Sequence, residues 1–125
     1  MKVIICDDSA FMRNILRNMI LRISPETEIV AEAANGKEAI EQYKIHRPDL
    51  VTLDITMPVM NGLDALKEIR QYDPNAVVAM VSAISQQPVI IDAIKHGAID
   101  FIIKPFTVVR LVELLNRIQR HRTRV

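Results

Sequence analysis

The chain is poor in several residue types, and each scarcity removes a class of function. It has a single cysteine, Cys6, so no internal disulfide can form and a reducing compartment suits it. Its three glycines are too few for a Gly-rich phosphate loop. The G-x-G-x-x-G, Walker A and G-x-S-x-G patterns are all missing, so dinucleotide-binding, P-loop and serine hydrolase chemistry lack their motifs. Aromatic residues make up 4% and Trp is absent, so the core must be aliphatic. A formal net charge of +1 gives no electrostatic argument for direct binding of nucleic acid or an anionic membrane. No apolar run approaches the ~18 residues that a membrane span needs. Met1-Lys2 leads into a short apolar run stopped by Asp7-Asp8, which is not a signal peptide. His46, His96 and His121 are isolated, lack metal-ligand spacing and read as surface helix residues. The expectation is a cytoplasmic protein with one domain over residues 1–125. Such a chain buries roughly two-thirds of its unfolded surface.

What is present is a regular alternation. Val3-Ile4-Ile5-Cys6 is a continuously apolar, β-branched run, the pattern of a strand covered on both faces. After Asp7-Asp8-Ser9 the period changes, and Phe11, Ile15, Leu16, Met19, Ile20 and Ile23 recur at helical spacing, with Asp8 or Ser9 as the cap. Ile29–Ala33 is a weaker strand, followed by Asn35-Gly36 and a helix through Ala39, Ile40 and Tyr43. Leu50-Val51-Thr52-Leu53 is a third strand, and Leu63, Leu66 and Ile69 mark a third helix after the Pro- and Gly-containing loop Met57–Gly62. Ala76–Val81 is a fourth strand, with a helix from about Gln87 to His96 and Gly97 as its C-terminal cap. Phe101-Ile102-Ile103 is the fifth strand, and the last helix carries Val108, Leu111, Leu114, Leu115 and Ile118 on one face. Five strand–helix units with short connections predict an α/β fold, a doubly wound parallel sheet with right-handed crossovers.

In a parallel sheet all strand C-termini lie at one edge, where ligands bind. The first strand delivers Asp7 and Asp8 there, the third Asp54, the fourth Ser82 and the fifth Lys104. A lone Asp after a strand is most often a cap or turn residue. One carboxylate of Asp7-Asp8 satisfies that reading and the other is left over, while Asp54 precedes a Pro-containing loop rather than a helix. Three crowded carboxylates repel unless something compensates them. A divalent cation does so, and all-oxygen ligands with no nearby His or Cys favour a hard ion, Mg²⁺ where phosphate chemistry is involved. Three carboxylates, one Mg²⁺ and the Lys104 ammonium leave the site near neutral and able to accept a phosphoryl group. Asp54 then reads as a carboxylate nucleophile that forms an acyl phosphate, with Ser82 and Lys104 contacting phosphoryl oxygens. The basic tail Arg117, Arg120, His121, Arg122 and Arg124 reads as the complement of a helix C-terminus.

The set Asp7-Asp8, Asp54 with Met57-Pro58 and Gly62, Ser82-Ala83, and Lys104-Pro105-Phe106 resembles the signature of the receiver domain of two-component response regulators. The likeness covers essentially the whole chain. Asp54–Pro58 and Ser82–Gln87, with the short length, most resemble the stand-alone chemotaxis regulators of that family. The resemblance implies the flavodoxin-like (βα)5 strand order 2-1-3-4-5. It also implies roles: Asp54 as phosphoacceptor, Asp8 as a direct Mg²⁺ ligand, Asp7 as a ligand partly through water, and the Thr56 carbonyl completing the protein's share of the coordination. Ser82 would be the switch hydroxyl, Phe101 the aromatic that changes rotamer with it, and Lys104–Pro105 a cis peptide. Ser82 stands for the commoner Thr and Phe101 for a common Tyr, which removes a hydroxyl from the output surface. Thr56 and Ile84 stand where other members often carry amide or acidic side chains. The expected consequence is a poorly positioned hydrolytic water, a persistent phosphoryl group and a need for a separate phosphatase.

The implied function is a signalling switch rather than an enzyme with an external substrate. A CheA-like histidine kinase would donate to Asp54, and the surface of the fourth helix, fifth strand and last helix would change state and engage the flagellar motor switch. Within Val89-Ile90-Ile91 three consecutive apolar residues cannot all face the sheet, and Ile90 is the expected exposed one. Two other functions fit less well. The chain could be the receiver of a longer transcriptional or enzymatic regulator, although the tail after Ile118 has no linker composition. It could be a small Mg²⁺-dependent aspartyl-phosphate phosphatase, although Thr56 stands where the second Asp of an Asp-x-Asp acid–base pair would be.

Overall fold

The computed structural model describes residues 1–123. Five strands, β1 (Lys2–Cys6), β2 (Glu28–Ala33), β3 (Leu50–Leu53), β4 (Val78–Ser82) and β5 (Asp100–Ile103), form one parallel sheet in the order β2-β1-β3-β4-β5. The helices between and after them are α1 (Ala10–Ile23), α2 (Gly36–His46), α3 (Gly62–Tyr72), α4 (Gln87–Lys95) and α5 (Val108–Thr123). This is the doubly wound, flavodoxin-like order that the resemblance implied.

Strand alternation sorts the core into two layers. Val3, Ile5, Leu50, Ala79, Val81 and Ile102 pack against Leu16 and Ile20 of α1 and Leu111, Leu114, Leu115 and Ile118 of α5. Ile4, Cys6, Val51, Leu53, Val78, Met80 and Phe101 point the other way, against α2, α3 and α4. Every one of these side chains is at least nine-tenths buried. The Cys6 thiol is pushed up from its ordinary pKa by that burial, so it is an inert core residue. Among the described residues the Thr52 hydroxyl is the one buried side-chain polar atom without a partner.

The helix starts follow capping chemistry. Ser9 accepts from the Met12 N–H, Asn35 from Glu38 and Asn61 from Asp64. For α1, Ser9 rather than Asp8 is therefore the cap, and Asp8 stays exposed. Phe11, expected on the core face of α1, is 75% exposed. The helix begins only at Ala10, so Phe11 sits in the first turn, beyond the edge of the sheet that Leu16 and Ile20 cover. Val108 is exposed for the same reason at the first residue of α5.

Ile90 is a further correction. It packs against the core, and Ile91 is the exposed neighbour. The fully buried Ala93 sets the phase of α4: Val89 and Ile90 lie one turn before it on the sheet side, while Ile91 and Ile94 form the outward stripe. Phe101, also expected on the output surface, turns its ring into the core. The exposed apolar side chains of α4, β5 and α5 are instead Ile91, Ile94, Ile103, Val108 and Val109.

Candidate functional site

Register brings the polar strand ends to one level. Cys6 pairs with Leu53, so Asp7 and Asp54 follow side by side, and the Asp54 N–H donates to the Cys6 carbonyl at 3.0 Å. Ser82 pairs with Ile103, so Lys104 is the next residue out, its N–H donating to the Ser82 carbonyl at 2.8 Å. Asp7, Asp54 and Lys104 continue the alternation of Ile5, Thr52 and Ile102, all on the α1–α5 side of the sheet. Three side chains remote in sequence thus emerge on one side of one edge.

There the Lys104 ammonium donates to Asp7 Oδ2 at 2.7 Å and to Asp54 Oδ2 at 3.0 Å. Burial alone would depress the lysine, but the hydrogen bonds and charges of Asp7 and Asp54 outweigh it and raise its pKa. Asp8 has no ion pair among the described residues, yet carboxylate oxygens of Asp7, Asp8 and Asp54 all lie within 4.8 Å of one another. Lys104 thus pairs with two of three crowded carboxylates. The donor set is all oxygen, with two members buried and one exposed, which suits a hard divalent ion entering from solvent. The Lys104–Pro105 peptide is cis.

The backbone also holds the site. Asp7 Oδ1 accepts from the Ser9 N–H at 2.9 Å and Asp54 Oδ1 from the Ile55 N–H at 2.7 Å, so one oxygen of each carboxylate is fixed. The buried Ser82 hydroxyl accepts from the Ile84 N–H at 3.2 Å and remains free to donate. Thr56 is exposed in the loop after Asp54. Two contributors were not anticipated as site residues. Arg13 of α1 donates to the Asp7 carbonyl at 2.6 Å and to Glu32 at 2.9 Å, which ties the β1 end to α1 and β2. Its polar position on a helix face carried no signal of this. Gly62 was legible as part of a motif but not in its role: a Cβ there would overlap the Asp54 carbonyl oxygen, so only glycine lets α3 start against the end of β3. Between them Val59 adopts φ 68 while the Met60 N–H donates to the Pro58 carbonyl at 2.7 Å, a tight turn that strains a β-branched residue.

Known proteins share this arrangement. Residues 3–116 match the response regulator receiver domain. The chain belongs to the response regulator receiver family. It is 52% identical over 119 residues to the chemotaxis protein CheY of Thermotoga maritima, covering 95% of this chain and 98% of that one. It is 51% identical over 116 residues to CheY of Bacillus subtilis strain 168, covering 93% and 95%. Among solved structures, the CheX–CheY–BeF3–Mg²⁺ complex from Borrelia burgdorferi superposes with a TM-score of 0.86 at 38% identity, covering 90% of this chain and 84% of that one. This receiver is therefore CheY-like, the type that acts as a signalling switch, and its acidic cluster lies where the fold and the register put it. No helix among the described residues is long and apolar enough to cross a membrane.

Proposed function

We propose that this receiver takes a phosphoryl group from a histidine kinase of the CheA type onto Asp54 and switches a chemotaxis output. The observation that carries the reading is the single ammonium of Lys104 shared by Asp7 and Asp54, with Asp8 close by and unpaired. Asp7, Asp8, Asp54 and the Thr56 carbonyl would hold Mg²⁺. When bound, the ion supplies the positive charge that lets a phosphoryl dianion approach three carboxylates. Asp54 Oδ1 is held by the Ile55 amide, so Oδ2 is the attacking oxygen. It forms a bond to phosphorus as the P–N bond to the donor imidazole breaks, and the imidazole keeps the electron pair and takes a proton. Lys104 then moves from Asp54 Oδ2 to a phosphoryl oxygen, and Ser82 donates its hydroxyl to another.

The buried Phe101 ring follows Ser82, and the face of α4, β5 and α5 changes its affinity for the flagellar motor switch. Thr56 and Ile84 offer no acidic or amide group to orient water, so the acyl phosphate persists until a separate phosphatase acts. The chemotaxis reading is supported by CheY relatives 52% and 51% identical to this chain.

The test is incubation with a small acyl phosphate donor, with and without Mg²⁺, followed by intact mass. One phosphoryl adduct is expected with Mg²⁺ and none in Asp54→Asn. An adduct that survives the substitution places the acceptor elsewhere, and steady release of phosphate from a small phosphomonoester revives the phosphatase reading.

A further inference from the structure

We infer that Arg13 is a positioning residue for the acidic edge: its hydrogen bond to the Asp7 carbonyl fixes the peptide that aims Asp8 at the cation. This rests on the Mg²⁺ site proposed for Asp7, Asp8 and Asp54, and adds a residue that binds no metal itself.

Arg13 stands where two local rules disfavour a cation. The fully buried Leu16 and Ile20 mark the sheet-facing stripe of α1, and Arg13 lies on that stripe, one turn before Leu16 and two before Ile20. It also closes the first turn of the helix, which starts at Ala10, near the positive end of the dipole. Its side chain is only 18% exposed. Ion pairing with Glu32 does not explain this placement. Glu32 is itself 35% exposed, where a pair contributes little, and Arg17 reaches the same carboxylate at 3.6 Å from an exposed position on α1. The bond that needs a cation on the inner stripe is the one from Arg13 Nη1 to the Asp7 carbonyl, at 2.6 Å. Violations of local rules are expected where a residue serves a site.

That bond acts on Asp8 through the planarity of the backbone. The Asp7 C=O and the Asp8 N–H belong to one rigid plane, so holding the oxygen fixes the plane that carries the Asp8 Cα. The Asp7 N–H is held in turn by the Ala33 carbonyl at 3.0 Å, and beyond Asp8 the Ser9 N–H donates to Asp7 Oδ1 at 2.9 Å. Asp8 is bracketed by these restraints, because its exposed side chain has no hydrogen bond or ion pair among the described residues. They keep its carboxylate within 4.8 Å of those of Asp7 and Asp54. Glu32 has a complementary part: it accepts from Arg13 Nε at 2.9 Å and draws the guanidinium charge toward β2. Arg13 therefore orients the cluster without filling it. Positioning and through-space repulsion predict opposite signs. Removing a cation beside a divalent-ion site relieves repulsion and tightens binding, whereas removing a residue that orients a ligand weakens it.

The test is titration of the full chain with Mg²⁺, read by calorimetry and by amide NMR, in wild type, Arg13→Met, Arg13→Lys and Glu32→Gln. Arg13→Met keeps the apolar stem and removes the donor, and should raise the Mg²⁺ Kd about tenfold. Arg13→Lys, a long cation with a single ammonium to offer the same carbonyl, should recover most of that loss. Glu32→Gln leaves the carbonyl bond in place and should bind Mg²⁺ nearly as wild type does. Without Mg²⁺, the Asp8 and Ser9 amide resonances should shift or broaden in Arg13→Met and not in Glu32→Gln. That second readout decides the inference even if the wild type binds no Mg²⁺, a result that overturns the metal site of the proposed function instead. Arg13→Ala, a strong helix former, carries the same expectations should the methionine variant fail to fold. Tighter or unchanged Mg²⁺ binding in the variants lacking the donor, or an equal loss in Glu32→Gln, overturns the inference. Arg13 would then be a source of repulsion or a stitch between α1 and β2.

Discussion

The two edges of the sheet handle charge in opposite ways. At the strand N-termini four carboxylates each have a basic partner: Asp49 with Arg122, Asp73 with Arg47, Asp92 with Lys67, and Asp100 with Arg110 and Arg117. At the C-termini Asp7 and Asp54 share Lys104, and the neighbouring Asp8 has no ion pair among the described residues. The first edge is a structural solution, with these four acids paired locally. The second is incomplete without an added cation, and fold stability alone gives no reason to crowd acids there. The difference separates an edge whose acids are mostly paired within the fold from one whose acid cluster is left short of positive charge.

The largest disruption of the acidic edge should come from Gly62→Ala. The new Cβ collides with backbone rather than with a flexible side chain, so α3 must shift away from Asp54. A loss on the order of 3 kcal/mol is expected, read as a drop in the urea midpoint together with loss of phosphorylation. The other edge is broken by Asp100→Asn, which should cost about 2 kcal/mol. Burial alone would raise the Asp100 pKa, but hydrogen bonds from Arg110 and the Phe101 amide, and the charges of Arg110 and Arg117, outweigh it and hold it low. A carboxyl with a lowered folded pKa stabilises fully above its unfolded value of about 3.9, and that stability is lost as pH falls through the folded value. The gap in melting temperature between wild type and Asp100→Asn should therefore be constant near pH 7 and narrow as pH falls below about 3.9. The smallest effect should be a gain. Val59→Asn places a residue that tolerates the left-handed region where Val is strained, and should raise stability by about 1 kcal/mol, or ~4 °C in Tm.

Much of this contrast could be read from residues in order. Short β-branched runs ending in Asp7, Asp54, Ser82 and Lys104 carry both the parallel sheet and the site, because strand ends in such a sheet share an edge whatever the strand order. The order itself came from resemblance, since apolar runs do not say which strand is their neighbour. Helix phase was only partly legible. The Val89-Ile90-Ile91 run leaves the facing residue open until Ala93 is known to lie against the sheet, and Phe11 matched the helical period while sitting beyond the end of the core. Backbone and long-range polar details left no local mark: the left-handed Val59, the reach of Arg13 to the Asp7 carbonyl, and Arg70 tucked against Gly97. The expected dipole complement in the last helix is more specific, because Arg117 and Arg122 pair with Asp100 and Asp49, while Arg124 lies outside the described residues.

The central claim is that the acidic edge is short of positive charge and built to gain it from a divalent ion. Thermal unfolding of the full chain against Mg²⁺ concentration tests this most directly. The wild-type Tm should climb with the logarithm of Mg²⁺ concentration once the ion exceeds its dissociation constant. Asp8→Asn should start at a higher Tm without Mg²⁺, since one uncompensated carboxylate is gone, and then respond weakly. A wild-type Tm indifferent to Mg²⁺, or an Asp8→Asn response equal to wild type, would contradict the account.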